Sequence, residues 1–175
     1  FYADGLRATG IDRIIAESNV AKMSFYRHFP SKSDLVCAFL EERHRRWMVW
    51  FDEAVGRHAR KRRSRMPAVA DALAEWFADP GFRGCAFINT SAEITDHHSR
   101  EHAIVEAVKA DLASRLAALD GLRSADEVGR LALLIVDGAI VRAQMSEGAE
   151  AAAQARRLLA ALAAAYRPAA RGADG

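Results

Sequence analysis

Hydrophobic positions recur with helical spacing along most of the chain. Ile11, Ile14 and Ile15 lie at i, i+3 and i+4, which predicts a short amphipathic helix. Thr9 is a favourable residue type for the N-cap of that helix. Asn19 follows the helix, and asparagine tolerates the positive φ of a turn better than most residues. The pattern therefore predicts a short helix that ends in a tight turn.

Longer helices follow a second short one. This second helix is predicted from about residue 21 to residue 29, and Pro30 stops it. Ser31 and Asp34 have the spacing of a capping box and open a third helix that reaches about residue 60. Further helices are predicted at about 67–78, 84–95, 100–118, 124–146 and 149–166. No segment has the alternating pattern of a strand, so the predicted fold class is all-α.

Composition excludes several classes of protein. Hydrophobic residues make up 51% of the chain, which is enough for a buried core. No run of 18 apolar residues predicts a membrane span, and no signal peptide is recognisable. The two cysteines, Cys37 and Cys85, are too few for the disulfide framework of a small secreted protein. These observations predict a cytoplasmic protein without a membrane segment.

Charge is distributed unevenly between the two parts of the chain. Residues 1–65 contain 14 Lys and Arg against 8 Asp and Glu, whereas residues 66–175 contain 11 against 15. The first part therefore carries the charge that a polyanion such as DNA attracts, and the second part does not. A solvated basic helix would give the same sum, so the asymmetry does not by itself identify a partner.

The two short helices and the turn at 17–20 have the arrangement of a helix-turn-helix. Val20, Phe25 and Phe29 are predicted to anchor the second helix from behind. The residues predicted to approach base edges are Ala21, Lys22, Met23 and Ser24. Those predicted to bond phosphates on either side are Thr9, Tyr26, Arg27, His28 and Lys32. A three-helix corner inside any globular domain would have the same spacing.

Residues 8–35 resemble the DNA-binding domain of the TetR family of bacterial regulators. The most specific part is Tyr26-x-His28-Phe29-x-x-Lys32-x-x-Leu35. The resemblance implies that Lys22, Met23 and Ser24 lie near bases. It further implies that Tyr26, His28 and Lys32 contact the DNA backbone and that Thr9 caps a helix on a phosphate.

Three departures from the family pattern accompany this resemblance. Asn19 replaces the usual turn glycine, and Ile15 stands where the family often has alanine, which would set the two helices slightly further apart. Only Phe1–Asp4, ended by Gly5, corresponds to the family's first helix. We therefore expect further residues upstream of Phe1.

The resemblance also implies a helical second domain that dimerises. Positions 128–145 are apolar nearly all round the helix, which is typical of a helix that is deeply buried or serves two interfaces. The predicted dimer interface comprises Leu131, Leu134, Ile135, Leu158, Leu159 and Leu162. The alternative is that these two helices only close the core of the monomer.

The same domain is expected to bind a small, largely apolar effector. The predicted pocket comprises Trp47, Trp50, Phe51, Trp76, Phe87, Asn89, Glu93 and Arg142. Ordinary core packing is the alternative for most of the aromatic residues. A metal site at His98 and His102 and a reactive thiol at Cys85 are weaker hypotheses than a solvated surface and a buried cysteine. No metal and no cofactor are predicted.

The predicted organisation has three parts. Residues 1–45 form a helix-turn-helix DNA-binding domain whose first helix is largely missing, residues 46–167 form a helical regulatory and dimerisation domain, and residues 168–175 form a disordered tail.

The predicted function is that of a homodimeric repressor, which a small ligand releases from double-stranded operator DNA. An all-α enzyme is less favoured because no nucleophile–base set, paired carboxylates or phosphate loop is recognisable. A DNA-packaging protein would favour a stronger net charge than +2.

Overall fold

A computed structural model describes residues 1–60 and 62–168, and within these ranges the chain is helical with no strand. The eight helices of the described part are α1 (Ile11–Ser18), α2 (Lys22–His28), α3 (Lys32–Ala59), α4 (Met66–Phe77), α5 (Ala86–Glu93), α6 (Arg100–Ala117), α7 (Ala125–Met145) and α8 (Gly148–Ala165). The all-α prediction is confirmed. None of these helices is both long enough and apolar enough to cross a bilayer. The predicted tail, apart from Pro168, lies outside the described residues.

Local chemistry sets the boundaries of the first helices. Asn19 ends α1 in the left-handed region, with φ 53°, as predicted. The hydroxyl of Ser31 accepts the backbone N–H of Asp34 at 3.1 Å and donates to the Asp34 carboxylate at 2.6 Å. This pair satisfies an amide group that has no partner inside the first turn of α3. The predicted capping interaction is therefore confirmed.

The chain divides into two compact units. The first unit comprises residues 1–49 and 83–108, and the second comprises residues 50–82 together with the chain from residue 109 onward. Residues 83–108 thus pack with the N-terminal segment. The predicted functional division at residues 45 and 46 does not coincide with these units and stays a prediction.

The core of the first unit is built from α2, α3, α5 and α6. Leu40 is completely buried, and Phe25, Val36, Phe87 and Val105 are buried with it. Each of these side chains comes from the apolar face of its helix. The short α2 therefore has an anchor in the core although it spans only seven residues.

In the second unit, α8 packs against both α4 and α7. Leu73, Val136 and Leu159 are fully buried there, one from each helix. Burial of Leu159 is a correction to the predicted dimer interface, because a side chain with no exposed surface is a core residue of its own unit. Its position on the inner face of α8 explains the difference.

Glycines permit two close approaches in this unit. A Cβ atom at Gly129 would lie 2.3 Å from the carbonyl oxygen of Ala113, and one at Gly148 would lie 2.7 Å from Cβ of Phe77. Real Cβ atoms essentially never approach other atoms so closely. Gly148 is the first residue of α8, one residue before the predicted start of that helix.

The N-terminus of α4 is capped from a distance. The carboxylate of Asp120 accepts the backbone N–H groups of Arg65 at 2.6 Å and Met66 at 3.1 Å, and the hydroxyl of Ser64 at 2.5 Å. These amide groups have no acceptor within the helix, and an anion at this end is also favoured by the helix dipole. Asp120 therefore fixes where α4 begins.

Candidate nucleic-acid interface

The α1–turn–α2 segment has the geometry of a helix-turn-helix. Asn19 takes the left-handed conformation, and Ala21, with ψ 131°, stands immediately before α2. Helical hydrogen bonding resumes at once, since the N–H of Phe25 donates to the carbonyl of Ala21 at 3.0 Å. Three residues therefore separate the two helices, as in the motif that places its second helix in the major groove.

Aromatic residues anchor one side of α2. Phe25 is buried, and its ring centroid lies 5.7 Å from that of Phe29 and 5.5 Å from that of Tyr26. Val20 was predicted to share this role, but its side chain is 43% exposed, so that prediction is wrong. The αL residue Asn19 turns the chain before Val20, which leaves Val20 outside the core.

The opposite side of α2 is open to solvent. Met23 is 85% exposed and lies across the helix from Phe25. The other predicted contact residues that are exposed are Ala21, Lys22, Tyr26, Arg27 and His28, and Ser24 is partly exposed. The predicted contact residues of the α2 segment are thus accessible to solvent at least in part, with Met23 the most exposed. Their contacts with DNA stay a prediction.

An ion pair joins the two helices at this surface. Nζ of Lys22 donates to Oδ1 of Asp12 in α1 at 3.1 Å. This hydrogen bond, with the attraction between the charges, raises the pKa of Lys22. Both side chains are largely exposed, so water screens the pair and its stabilising effect is small. Its effect is to orient Lys22 and to offset its charge.

The side chains of Thr9 and Lys32 donate hydrogen bonds to backbone carbonyl groups of the protein itself. Thr9 is only 5% exposed, and its hydroxyl donates to the carbonyl of Gly5 at 2.7 Å. The predicted N-cap role of Thr9 is wrong, because Gly10 is the N-cap of α1 and no side chain caps that helix. Nζ of Lys32 donates to the carbonyl of Leu6 at 2.5 Å. Direct phosphate contacts from Thr9 and Lys32 stay predictions.

Glu93, at the end of α5, holds the segment before α1. Its two carboxylate oxygens accept the backbone N–H groups of Leu6 at 3.0 Å and Arg7 at 2.7 Å, one each. The guanidinium of Arg7 donates in return to the Glu93 carbonyl at 2.8 Å. Gly5 has a φ of 85°, a conformation that favours glycine, and a Cβ there would also lie 2.9 Å from Oε1 of Glu93.

Tyr2 supplies a second attachment of the same segment. Its hydroxyl donates to the carbonyl of Gly84 at 2.8 Å and accepts the N–H of Arg83 at 2.9 Å. The guanidinium of Arg43 lies 3.9 Å from the centre of the Tyr2 ring, a cation–π contact. Sequence reasoning missed the contacts of Tyr2 and Glu93. The one local signal was Gly5, whose positive φ ends the first turn.

The predicted ligand-pocket residues are divided between the two units. Trp47, Phe87, Asn89 and Glu93 belong to the first, and Trp50, Phe51, Trp76 and Arg142 belong to the second. Phe51 and Phe87 are buried, as ordinary core packing would require. The Trp50 and Trp76 rings are neighbours, with centroids 6.2 Å apart. The pocket itself stays a prediction.

The predicted dimer residues other than Leu159 reach the surface of the second unit. Leu134 is 70% exposed and Leu158 is 55% exposed. Both line a groove on the outer surface of α7 and α8 together with Ile135, Gly138, Arg142 and Gln154. Leu131 and Leu162 are partly exposed on the same two helices. We call the surface formed by Leu134, Ile135, Gly138 and Leu158 the α7–α8 face.

Comparison with known proteins supports the helix-turn-helix interpretation. Residues 1–39 match the family model described as bacterial regulatory proteins, tetR family. The structure matches that of a TetR-family transcriptional regulator from Streptomyces coelicolor with a TM-score of 0.80, at 28% identity and over 96% of this chain and 90% of that one.

A protein named as a TetR-transcriptional regulator, from Streptomyces avermitilis, matches with a TM-score of 0.75, at 26% identity and over 94% and 90% of the two chains. No protein with a curated description matches the chain. The N-terminal match and the similarity over nearly the whole length agree with each other: residues 1–39 match the TetR-family model, and the chain resembles TetR-family regulators over nearly all of its length.

Proposed function

We propose that the protein is a dimeric transcriptional repressor that binds operator DNA through α2 and leaves it when a small, largely apolar ligand binds. The observation that carries the DNA-binding part is the surface of α2. Phe25 fixes the helix in the core, while Met23 and its exposed neighbours extend away from it. A short helix held in this way fits the major groove, in which base edges are accessible.

The α7–α8 face supports the dimeric part of the proposal. Exposed Leu134 and Leu158 present apolar surface to water, and a second copy of the chain would cover it. Gly138 leaves open space between them, which allows a helix of the partner to approach closely. A two-fold dimer would also double the length of DNA that is recognised, since one short helix reads few base pairs.

The aromatic cluster of the second unit supports an apolar effector. Trp76 contacts the rings of Trp50, Phe77 and Phe82, with centroid distances between 5.1 and 6.2 Å. These rings are half-buried, so they offer apolar walls that are not fully enclosed. A ligand that prefers a conformation with unsuitable spacing of the two α2 helices would weaken DNA binding by its difference in affinity.

Selection of random DNA duplexes by the full-length protein tests the proposal. We expect a short palindrome whose half-sites lie about one helical turn apart. Binding to the enriched site should greatly exceed binding to unrelated DNA at the same salt concentration, because base contacts add to the phosphate contacts. A panel of apolar and aromatic molecules is then tested for release of the protein from that site.

The alternatives give different results. A packaging protein would bind every duplex with similar affinity, and an all-α enzyme would enrich none. An enriched site that no compound releases would leave the protein a DNA-binding regulator but would contradict the effector-released repressor. A site without two-fold symmetry would contradict the dimer.

A further inference from the structure

The most exposed large apolar side chain in the described part of the chain belongs to Met23. It is 85% exposed, compared with 73% for Met145 and 70% for Leu134. Single exposed apolar residues are common on protein surfaces. This one, however, stands in the middle of the polar surface of α2 that the proposed function assigns to the DNA.

Its neighbours define what Met23 can recognise. Tyr26 and Arg27 lie three and four residues further on, so they share its side of α2 and offer groups for phosphates. Lys22, the preceding residue, is paired with Asp12 at 3.1 Å, so part of its charge is offset at this point. Met23 is therefore the apolar member of a surface whose other side chains, Tyr26 and Arg27, are suited to phosphates.

The major groove offers one apolar group to such a side chain. Thymine carries a 5-methyl group there, whereas the other base edges present hydrogen-bond donors and acceptors. A methionine side chain is unbranched and polarisable, so it adapts its shape to a methyl group. We propose that Met23 selects a thymine in each operator half-site by packing its thioether side chain against the thymine methyl. This inference rests on the proposed function and names the base feature that the same surface recognises.

Replacement of thymine by deoxyuridine removes that methyl group and leaves every hydrogen-bonding group in place. We expect one thymine per half-site at which this replacement weakens binding of the full-length protein by roughly fourfold. The factor follows from the transfer free energy of about one methylene group, converted to affinity. Replacement of both half-sites should multiply the effect.

Protein variants assign the effect to Met23. Met23→Ala should bind the thymine operator more weakly and should no longer distinguish thymine from deoxyuridine. Met23→Leu, which keeps an apolar side chain of similar size, should retain the distinction. Val49→Ala is the matched control, because Val49 is also exposed, at 53%, but belongs to α3; it should behave as the wild type. Thermal unfolding should be the same for all variants, since these side chains are exposed.

The outcomes separate this inference from the proposed function. An enriched operator whose binding is indifferent to deoxyuridine at every position would overturn the role of Met23 and leave the regulator intact. Equal discrimination between thymine and deoxyuridine by the wild type and Met23→Ala would also overturn the role of Met23 and leave the regulator intact. Enrichment of no sequence would overturn both, because a protein without sequence preference reads no thymine.

Discussion

Asp12 of α1 and Lys22 of α2 form an ion pair of 3.1 Å at the surface proposed to meet DNA. The carboxylate of Asp12 thus stands at a surface that must approach phosphates. Repulsion between this carboxylate and DNA reduces non-specific attraction, while the pair holds Lys22 in one orientation. A substitution of Asp12 tests how much its carboxylate reduces non-specific attraction to DNA.

Asp12→Asn should increase affinity for unrelated duplex DNA and steepen its salt dependence by about one unit of slope, because the charge of Lys22 is no longer offset. The measurement is a titration of a random-sequence duplex at several salt concentrations. Glu17→Gln is the control, since Glu17 lies on the same helix but pairs with Arg13. Equal slopes for Asp12→Asn and the wild type would contradict the prediction.

Lys32→Ala should lower affinity for all DNA and flatten the salt dependence by about one unit of slope. It should also reduce the free energy of unfolding by about 1 kcal/mol, because the Leu6 carbonyl loses its donor. DNA titration and urea unfolding measure the two effects. A loss of stability without a change in slope would assign Lys32 a structural role only.

Leu134→Glu should convert the proposed dimer to a monomer, because it introduces a charge into the apolar α7–α8 face. Sedimentation velocity measures the change. Val49→Glu places the same charge at another exposed apolar position and should leave the dimer unchanged. If the Leu134→Glu variant remains a dimer, the dimer interface lies on another surface of the molecule.

Glu93→Gln should lower the free energy of unfolding by roughly 1–3 kcal/mol. The amide group of glutamine has one oxygen acceptor, whereas the two oxygens of Glu93 accept the N–H groups of Leu6 and Arg7. Glu106→Gln, an exposed change on α6, is the control. Urea unfolding of the two variants distinguishes them, and equal stability would show that the Glu93 contacts contribute nothing measurable.

Gly129→Ala should lower the free energy of unfolding by roughly 1–3 kcal/mol, because the new methyl group would meet the backbone of Ala113. Gly56→Ala in α3 has open space at the same position and should stabilise the protein by up to about 1 kcal/mol through helix propensity. Urea unfolding measures the change in the free energy of unfolding for both variants, which should be negative for Gly129→Ala and positive for Gly56→Ala. A stabilising Gly129→Ala would contradict the close approach of α6 and α7.

Local sequence signals predicted the helices and the turn. Asn19, Pro30 and the pair of Ser31 and Asp34 act on their immediate neighbours, so their effects were recognisable without a structure. Val20 shows the limit of this reasoning, because its hydrophobicity did not reveal on which side of the turn it lies.

The hydrogen bonds from the side chains of Thr9 and Glu93 to backbone groups were not predictable from the sequence. Thr9 has the right residue type for an N-cap, yet its hydroxyl binds Gly5, four residues back along the chain. Glu93 was assigned to a ligand pocket from its position on a helix with Asn89. Its partners are backbone amides, and backbone amides leave no signature in a sequence.

The hydrogen bonds of Glu93 can form only late in the synthesis of the chain. Its partners Leu6 and Arg7 precede it by 87 and 86 residues. At a translation rate of about 5–20 residues per second, roughly 4–17 seconds separate the appearance of the two sides of this attachment. The segment before α1 is thus synthesised early but receives its hydrogen bonds from Glu93 late. Until Glu93 has been synthesised, α1 and α2 of the nascent chain lack the support of these hydrogen bonds.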